Sequence, residues 1–191
     1  MSKREAGSFV PLPAEPIVLV GADVGGRANF MAAGFAGGVN HDPEIVYVSL
    51  RKDHHTARGI EENSAFSLNL PSADYVVETD FCGLVSGRDF DKSGIFSIFY
   101  GSLKTAPMIE GFPITCECRC TGQKMEFTTD VAYFAEVVQV YVDEDLLIPG
   151  KKAIDALKGR FIFYDRLDNT YRLIGEKVGE GWSSGRAYKA R

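Results

Sequence analysis

The sequence predicts a mainly β protein, six or seven short antiparallel strands arranged as a barrel, with two short helices. Three observations predict it. Short apolar segments are separated by glycine, proline and asparagine turns rather than by long helical repeats. Two of those segments, Phe66–Leu70 and Pro113–Thr121, alternate at period two as half-buried strands do. No Gly-x-Gly-x-x-Gly leads into a long helix; Gly21–Gly26 matches it only superficially, which sets aside a dinucleotide-binding α/β domain. At 191 residues, 45% of them hydrophobic, the chain suffices for one domain with its own core.

Taken in order, Pro11 and Pro13 make residues 1–15 an extended lead-in. Ile17–Val20 is a strand stopped by Gly21, and Ala22–Gly26 is the turn into a second strand, Arg27–Ala33. Gly37–Pro43 reads as a loop and Ile45–Leu50 as the next strand. Thr56–Asn63 suits a two-turn helix with Thr56 as N-cap, and Phe66–Leu70 follows as a strand. Ser72–Cys82 reads as a second helix, Gly83–Asp89 as a loop, and Pro113–Thr121 as a strand. Val131–Val142 is long, β-branched and aromatic, a central strand with room for a bulge. Phe161–Tyr164 and Thr170–Ile174 form a closing hairpin around Asp168-Asn169. Residues 16–175 make the domain, and 176–191 a Gly/Ser-rich arm carrying Trp182.

A net charge of -5 argues against nucleic acid as a partner. No apolar run approaches the ~20 residues of a membrane span. The basic start, Met1–Glu5, has no apolar stretch behind it of the secretory kind, so a cytoplasmic protein is expected. Cys116, Cys118 and Cys120 fall at i, i+2, i+4, which on a strand places them on one face, roughly 6.5–7 Å apart. That spacing suits neither a local disulfide nor one tetrahedral metal, so the cysteines read as buried thiols acting as small hydrophobes. His54 and His55 are adjacent and point apart, so they do not chelate together; surface or phosphate-edge positions suit them. No Ser-His-Asp or Cys-His order points to a hydrolase.

The chemistry concentrates between Gly26 and Asn69. Asn29-Phe30-Met31-Ala32-Ala33 is a small-residue strand that can lie flat against a planar ring, its backbone groups free to address polar atoms on the ring's edge without steric conflict. Ile45–Leu50 then ends in the cationic turn Arg51-Lys52-Asp53-His54-His55-Thr56, which feeds a helix start. Free amide N–H groups and the helix dipole favour a phosphate there, with Arg and Lys adding charge-assisted donors. A flat ring joined to a phosphate by a flexible linker describes FMN.

Asn29–Ala33 followed by Asn40-His41-Asp42-Pro43 resembles the flavin reductase-like family of FMN-binding split barrels, and its flavoredoxin branch in particular. Val46–Lys52, Thr56 ahead of Gly59-Ile60, Phe66–Pro71, Cys82–Arg88 and Asp91-Lys92 extend the likeness over about residues 15 to 175. The resemblance implies a six-stranded antiparallel split β-barrel, a homodimer, and FMN near the subunit interface. It implies that Asn29, Phe30, Met31, Ala32 and Ala33 meet the ring edge, largely through backbone groups. Ser49, Leu50, Arg51, Lys52 and Thr56 would receive the phosphate, and Ser86, Gly87 and Lys92 would approach the flavin from the following loop. Electrons would come from NAD(P)H or a redox protein, and no catalytic side chain is required because the flavin performs its own chemistry. The alternative is a non-enzymatic split-barrel module holding another planar ligand such as haem, with His41, His54 or His55 as axial ligand.

Overall fold

The computed structural model describes residues 2–151 and 153–188. The first half runs β1 (Glu15–Pro16), β2 (Val18–Val24), β3 (Arg27–Ala33), β4 (Ala36–His41), β5 (Glu44–Arg51), α1 (His55–Asn63), β6 (Ala65–Leu70) and α2 (Val76–Leu84). The second half runs β7 (Ile98–Phe99), β8 (Met108–Ile109), β9 (Ile114–Glu126), β10 (Asp130–Val142), β11 (Ile162–Asp165) and β12 (Thr170–Leu173). Among the described residues no helix is long and apolar enough to cross a membrane.

Seven strands form one antiparallel sheet in the order β3-β2-β6-β9-β10-β5-β4. Its two edge strands, β3 and β4, are joined only by Gly34 and Phe35, a link that spans at most about 11 Å. The sheet is therefore rolled until its edges meet at that corner, where the Ser49 N–H donates to the Phe35 carbonyl at 2.8 Å. No ladder joins β3 to β4, so the barrel is split along that line. Counting β3 and β4 as one strand bent at Gly34-Phe35 gives the six strands expected.

Period two decides what fills the barrel. Val18, Val20 and Ala22 of β2 point inward with Val48, Leu50, Phe66, Leu68, Val131, Tyr133 and Ala135, and α1 contributes Ala57 and Ile60. The alternate residues Leu19, Ala28 and Phe30 face out into a second cluster with Cys82, Ile109 and Phe112. There Phe30 meets Phe96 edge to face at 5.5 Å. Cys116 and Cys118 lie in the barrel core, with Cys120 packed against it and Cys82 in the outer cluster; all four thiols are free.

Several elements differ from expectation. Gly37–His41 is not a loop but lies in β4, paired to β5 by backbone bonds that need no particular side chain. The β2–β3 turn narrows to Gly25-Gly26, both at positive φ (57° and 79°), where glycine carries no steric penalty. Helix α1 takes His54 rather than Thr56 as N-cap, because the Thr56 side chain turns into the protein. Helix α2 begins later, at Val76, after a 3-10 turn over Ala73–Tyr75. Strands β9 and β10 extend to 13 residues each, and β10 carries the expected irregularity as two register shifts against β9.

Two polar contacts tie the periphery down. Glu15, 2% exposed, receives both forks of the Arg166 guanidinium at 2.8 and 2.9 Å, joining the lead-in to the β11–β12 turn. Arg166 also lies over the Phe35 ring at 4.7 Å, so this brace sits on the corner where the sheet edges meet. The buried Glu117 carboxylate on β9 accepts from the Ser102 and Leu103 amides at 3.1 and 2.6 Å. Burial acts to raise its pKa, but those hydrogen bonds and the Ser102 and Tyr141 hydroxyls hold it below the usual carboxylate value.

Candidate functional site

Strand β3 is a sheet edge, so its outward backbone groups lack a strand partner. Three pieces of chain converge on it: the start of α1, the end of α2, and the loop from Val85 to Lys92. Together they frame a cleft of about 180 Å³ lined by Met31, Ala32, His54, His55, Thr56, Gly83, Leu84, Ser86, Gly87, Arg88 and Lys92. A second cleft of about 230 Å³ adjoins it past Gly87-Arg88, with Arg27, Ala28, Asn29 and Asp91 on its wall. His55, Gly87, Arg88 and Lys92 belong to both.

The centre of this arrangement is held by small residues and one buried hydrogen bond. The Asn29 side-chain amide donates to the Thr56 hydroxyl at 2.7 Å, fixing the edge strand to the first turn of α1. A Cβ on Gly87 would sit 2.1 Å from Asn29 Oδ1 and 2.8 Å from His55, so only glycine lets the loop lie this close. A Cβ on Gly83 would come 3.3 Å from the Ala32 Cβ, which keeps the α2 end low against the strand.

Lys92 supplies the charge. It is 2% exposed, and its ammonium donates to the Phe30 carbonyl at 3.0 Å and the Cys82 carbonyl at 2.8 Å. Those two bonds satisfy an edge-strand acceptor and an orphan carbonyl at the C-terminal end of α2, where a cation is favoured. Among the described residues no carboxylate pairs with it, and burial pulls its pKa below the ordinary lysine value. Burial likewise lowers the pKa of His54 and His55, helped by Arg51 and Arg88 at His54 and by Arg58 and Arg88 at His55. Both imidazoles are therefore neutral at pH 7. Helix α1 has no side-chain cap, and His54 Nδ1 is buried without a hydrogen-bond partner among the described residues.

Of the residues singled out in the sequence, Asn29, Met31, Ala32, Thr56, Ser86, Gly87 and Lys92 come together on the two clefts. Phe30 and Ala33 turn their side chains into the two cores, leaving only backbone to the cleft. Leu50 is a barrel-core residue, and Ser49 lines neither cleft. Arg51 is exposed and chelated by Asp53 at 3.0 Å. Lys52 faces a separate cleft with Arg58 and Lys124 and pairs with Glu126 at 3.4 Å. Pairing with Asp53 and Glu126 holds these two cations off the two clefts that Thr56 and Asn29 line. His54 and His55, expected at the surface or at a phosphate edge, line the cleft beside Thr56, and Arg88, which the sequence did not mark as a site residue, joins them next to Gly87.

Residues 13–157 match the family model described as a flavin reductase like domain. The chain belongs to this family. Within it the chain lies on the flavoredoxin branch. It is similar to the flavoredoxin of Methanosarcina acetivorans, 39% identical with a TM-score of 0.92 over 97% of this chain and 98% of that one. It is also similar to the flavoredoxin of Desulfovibrio vulgaris (Miyazaki F), 31% identical with a TM-score of 0.88 over 96% and 100% of the two chains. Among curated proteins, the uncharacterized YddH of Escherichia coli (strain K12) is 30% identical over 135 residues, 68% of this chain and 70% of that one.

Proposed function

We propose that this flavin reductase-like chain binds FMN in the β3 cleft and carries electrons from a reductant, NAD(P)H or a redox protein, to an acceptor. The observation that carries the proposal is Lys92, a buried ammonium with two of its three donors on carbonyls and no carboxylate partner among the described residues, beside a floor of alanine and glycine. A buried cation without a partner is unfavourable unless something anionic or electron-rich meets it. A flavin fits that demand at its pyrimidine edge, and its phosphate fits the uncapped start of α1 with Arg88 alongside. The bound flavin would supply the redox chemistry; the protein holds the ring flat, leaves a face open and stabilises negative charge on the reduced ring.

The adjoining clefts of about 180 and 230 Å³ together reach the lower part of the ~300–1,000 Å³ that small-ligand sites occupy, and both are open on one side, where a second copy in a homodimer would complete the wall. The names of the two flavoredoxins support the flavin reading, and the deciding measurement is simple. The purified protein should show oxidised-flavin absorbance, or acquire it on titration with FMN, and lose most of it in Lys92→Met. A Soret band in place of flavin absorbance would replace this reading with a haem module. Anaerobic reduction by NADH or NADPH against reduction by ferredoxin then tells a reductase from a carrier.

A further inference from the structure

We propose that the C-terminal arm of one copy lies across α2 of a second copy, with Trp182 seated on Val77 and Leu84 at the rim of the cleft. The first observation is that α2 is apolar on the wrong side. Val77, Phe81 and Leu84 stand at i, i+4, i+7 and so share one face. The residues it buries against its own body are Thr79 and Cys82. Val77 and Leu84 are 74% and 77% exposed, and Phe90 widens the stripe by meeting Phe81 edge to face at 5.2 Å.

The second observation is the arm itself. Every residue from Arg172 to Tyr188 is exposed, Val178 and Trp182 fully so. Past residue 175, the hydrogen bonds of the described residues stay inside the arm, among Lys177, Glu180, Ser183, Ser184, Gly185, Arg186 and Tyr188. An apolar stripe and an apolar strap, neither covered by its own chain, are complementary surfaces.

Their placement selects a second copy as the occupant. The arm leaves from β12, whose Tyr171 hydroxyl donates to Asp80 on α2 at 2.8 Å, so it starts beside this helix yet leaves the helix's apolar stripe bare on its own chain. A two-fold pair requires such a self-complementary patch, and here each arm would cross to the other helix. Residues 176–188 reach up to ~45 Å when extended, ample for the crossing.

Trp182 is the sole tryptophan, so fluorescence excited beyond the tyrosine absorption band reports the arm alone. The full-length protein at micromolar concentration should sediment as a dimer, with emission blue-shifted from N-acetyltryptophanamide. In the Val77→Glu/Leu84→Glu variant, whose sites are exposed and whose folding far-UV circular dichroism checks, emission should return to that reference and dimer affinity should fall at least tenfold. A monomer at every concentration, water-like emission in the dimer, or a blue shift that the double variant leaves intact would each overturn the proposal. None of these readouts requires bound flavin, so their failure is separate from failure of the flavin reading.

Discussion

Lys92 keeps its charge in a place where burial works against it, and that makes its behaviour with pH readable. Its pKa in the free protein lies below the ordinary lysine value, and an anionic ligand would raise it again. Flavin affinity is then fully present below the free-protein pKa and is lost as pH rises through the bound one, a decline that begins at lower pH than for an exposed lysine. The Lys92→Met variant removes both the charge and the slope. A hydrogen bond to a charged group contributes about 1.5–3 kcal/mol, so the variant should lose tenfold or more in FMN affinity by titration. The histidines respond at the other end of the scale. Burial holds His54 and His55 neutral, and a phosphate at the start of α1 would raise their pKa values. Binding then takes up protons, so FMN should bind more tightly as pH falls from about 8 toward about 6, below which the phosphate itself takes up a proton. Replacing both with Gln should flatten that rise in the same titration.

At the scale of elements, the α2–Lys92 loop is set by one close approach. In Gly87→Ala the new methyl meets Asn29 Oδ1, and overpacking of this kind costs about 1–3 kcal/mol unless the loop moves. The loop is the softer side, so the flavin-to-protein absorbance ratio should fall at least tenfold while the far-UV spectrum holds. Adding Asn29→Ala removes the nearer obstruction, leaving the His55 ring, and should restore part of the ratio. This contact also shows what the sequence does and does not disclose. The strands rich in valine, isoleucine and phenylalanine were legible because alternation and branching mark them. Strand β4 was hidden because Gly37, Gly38 and Asn40 carry turn signals, although a backbone ladder tolerates them on a sheet edge. Thr56 stood out as a hydroxyl at a helix start, yet its partner is Asn29, 27 residues away, and nothing local announces that bond. Arg51 and Lys52 were legible as charge but not as direction: Asp53 and the distant Glu126 decide where they point.

For the whole molecule, the split barrel relies on its ends. Glu15 and Arg166 brace the Gly34-Phe35 corner from opposite termini, and removing Arg166 would leave a buried carboxylate unpaired. The penalty for a fully buried pair is 3–5 kcal/mol; with Arg166 itself partly exposed, Arg166→Ala should cost about 2 kcal/mol. For a chain of this length that lowers Tm by roughly 4–8 °C, a shift calorimetry resolves easily. The strand order has a consequence of another kind. Hairpins β2–β3 and β4–β5 are synthesised early but belong at opposite ends of the sheet, and β9–β10, which joins them, comes much later. A nascent chain leaving the ribosome thus carries two unfinished half-sheets with bare edges until residue 142 has cleared the exit tunnel. A message cut short before that codon yields an aggregating fragment rather than a smaller working protein.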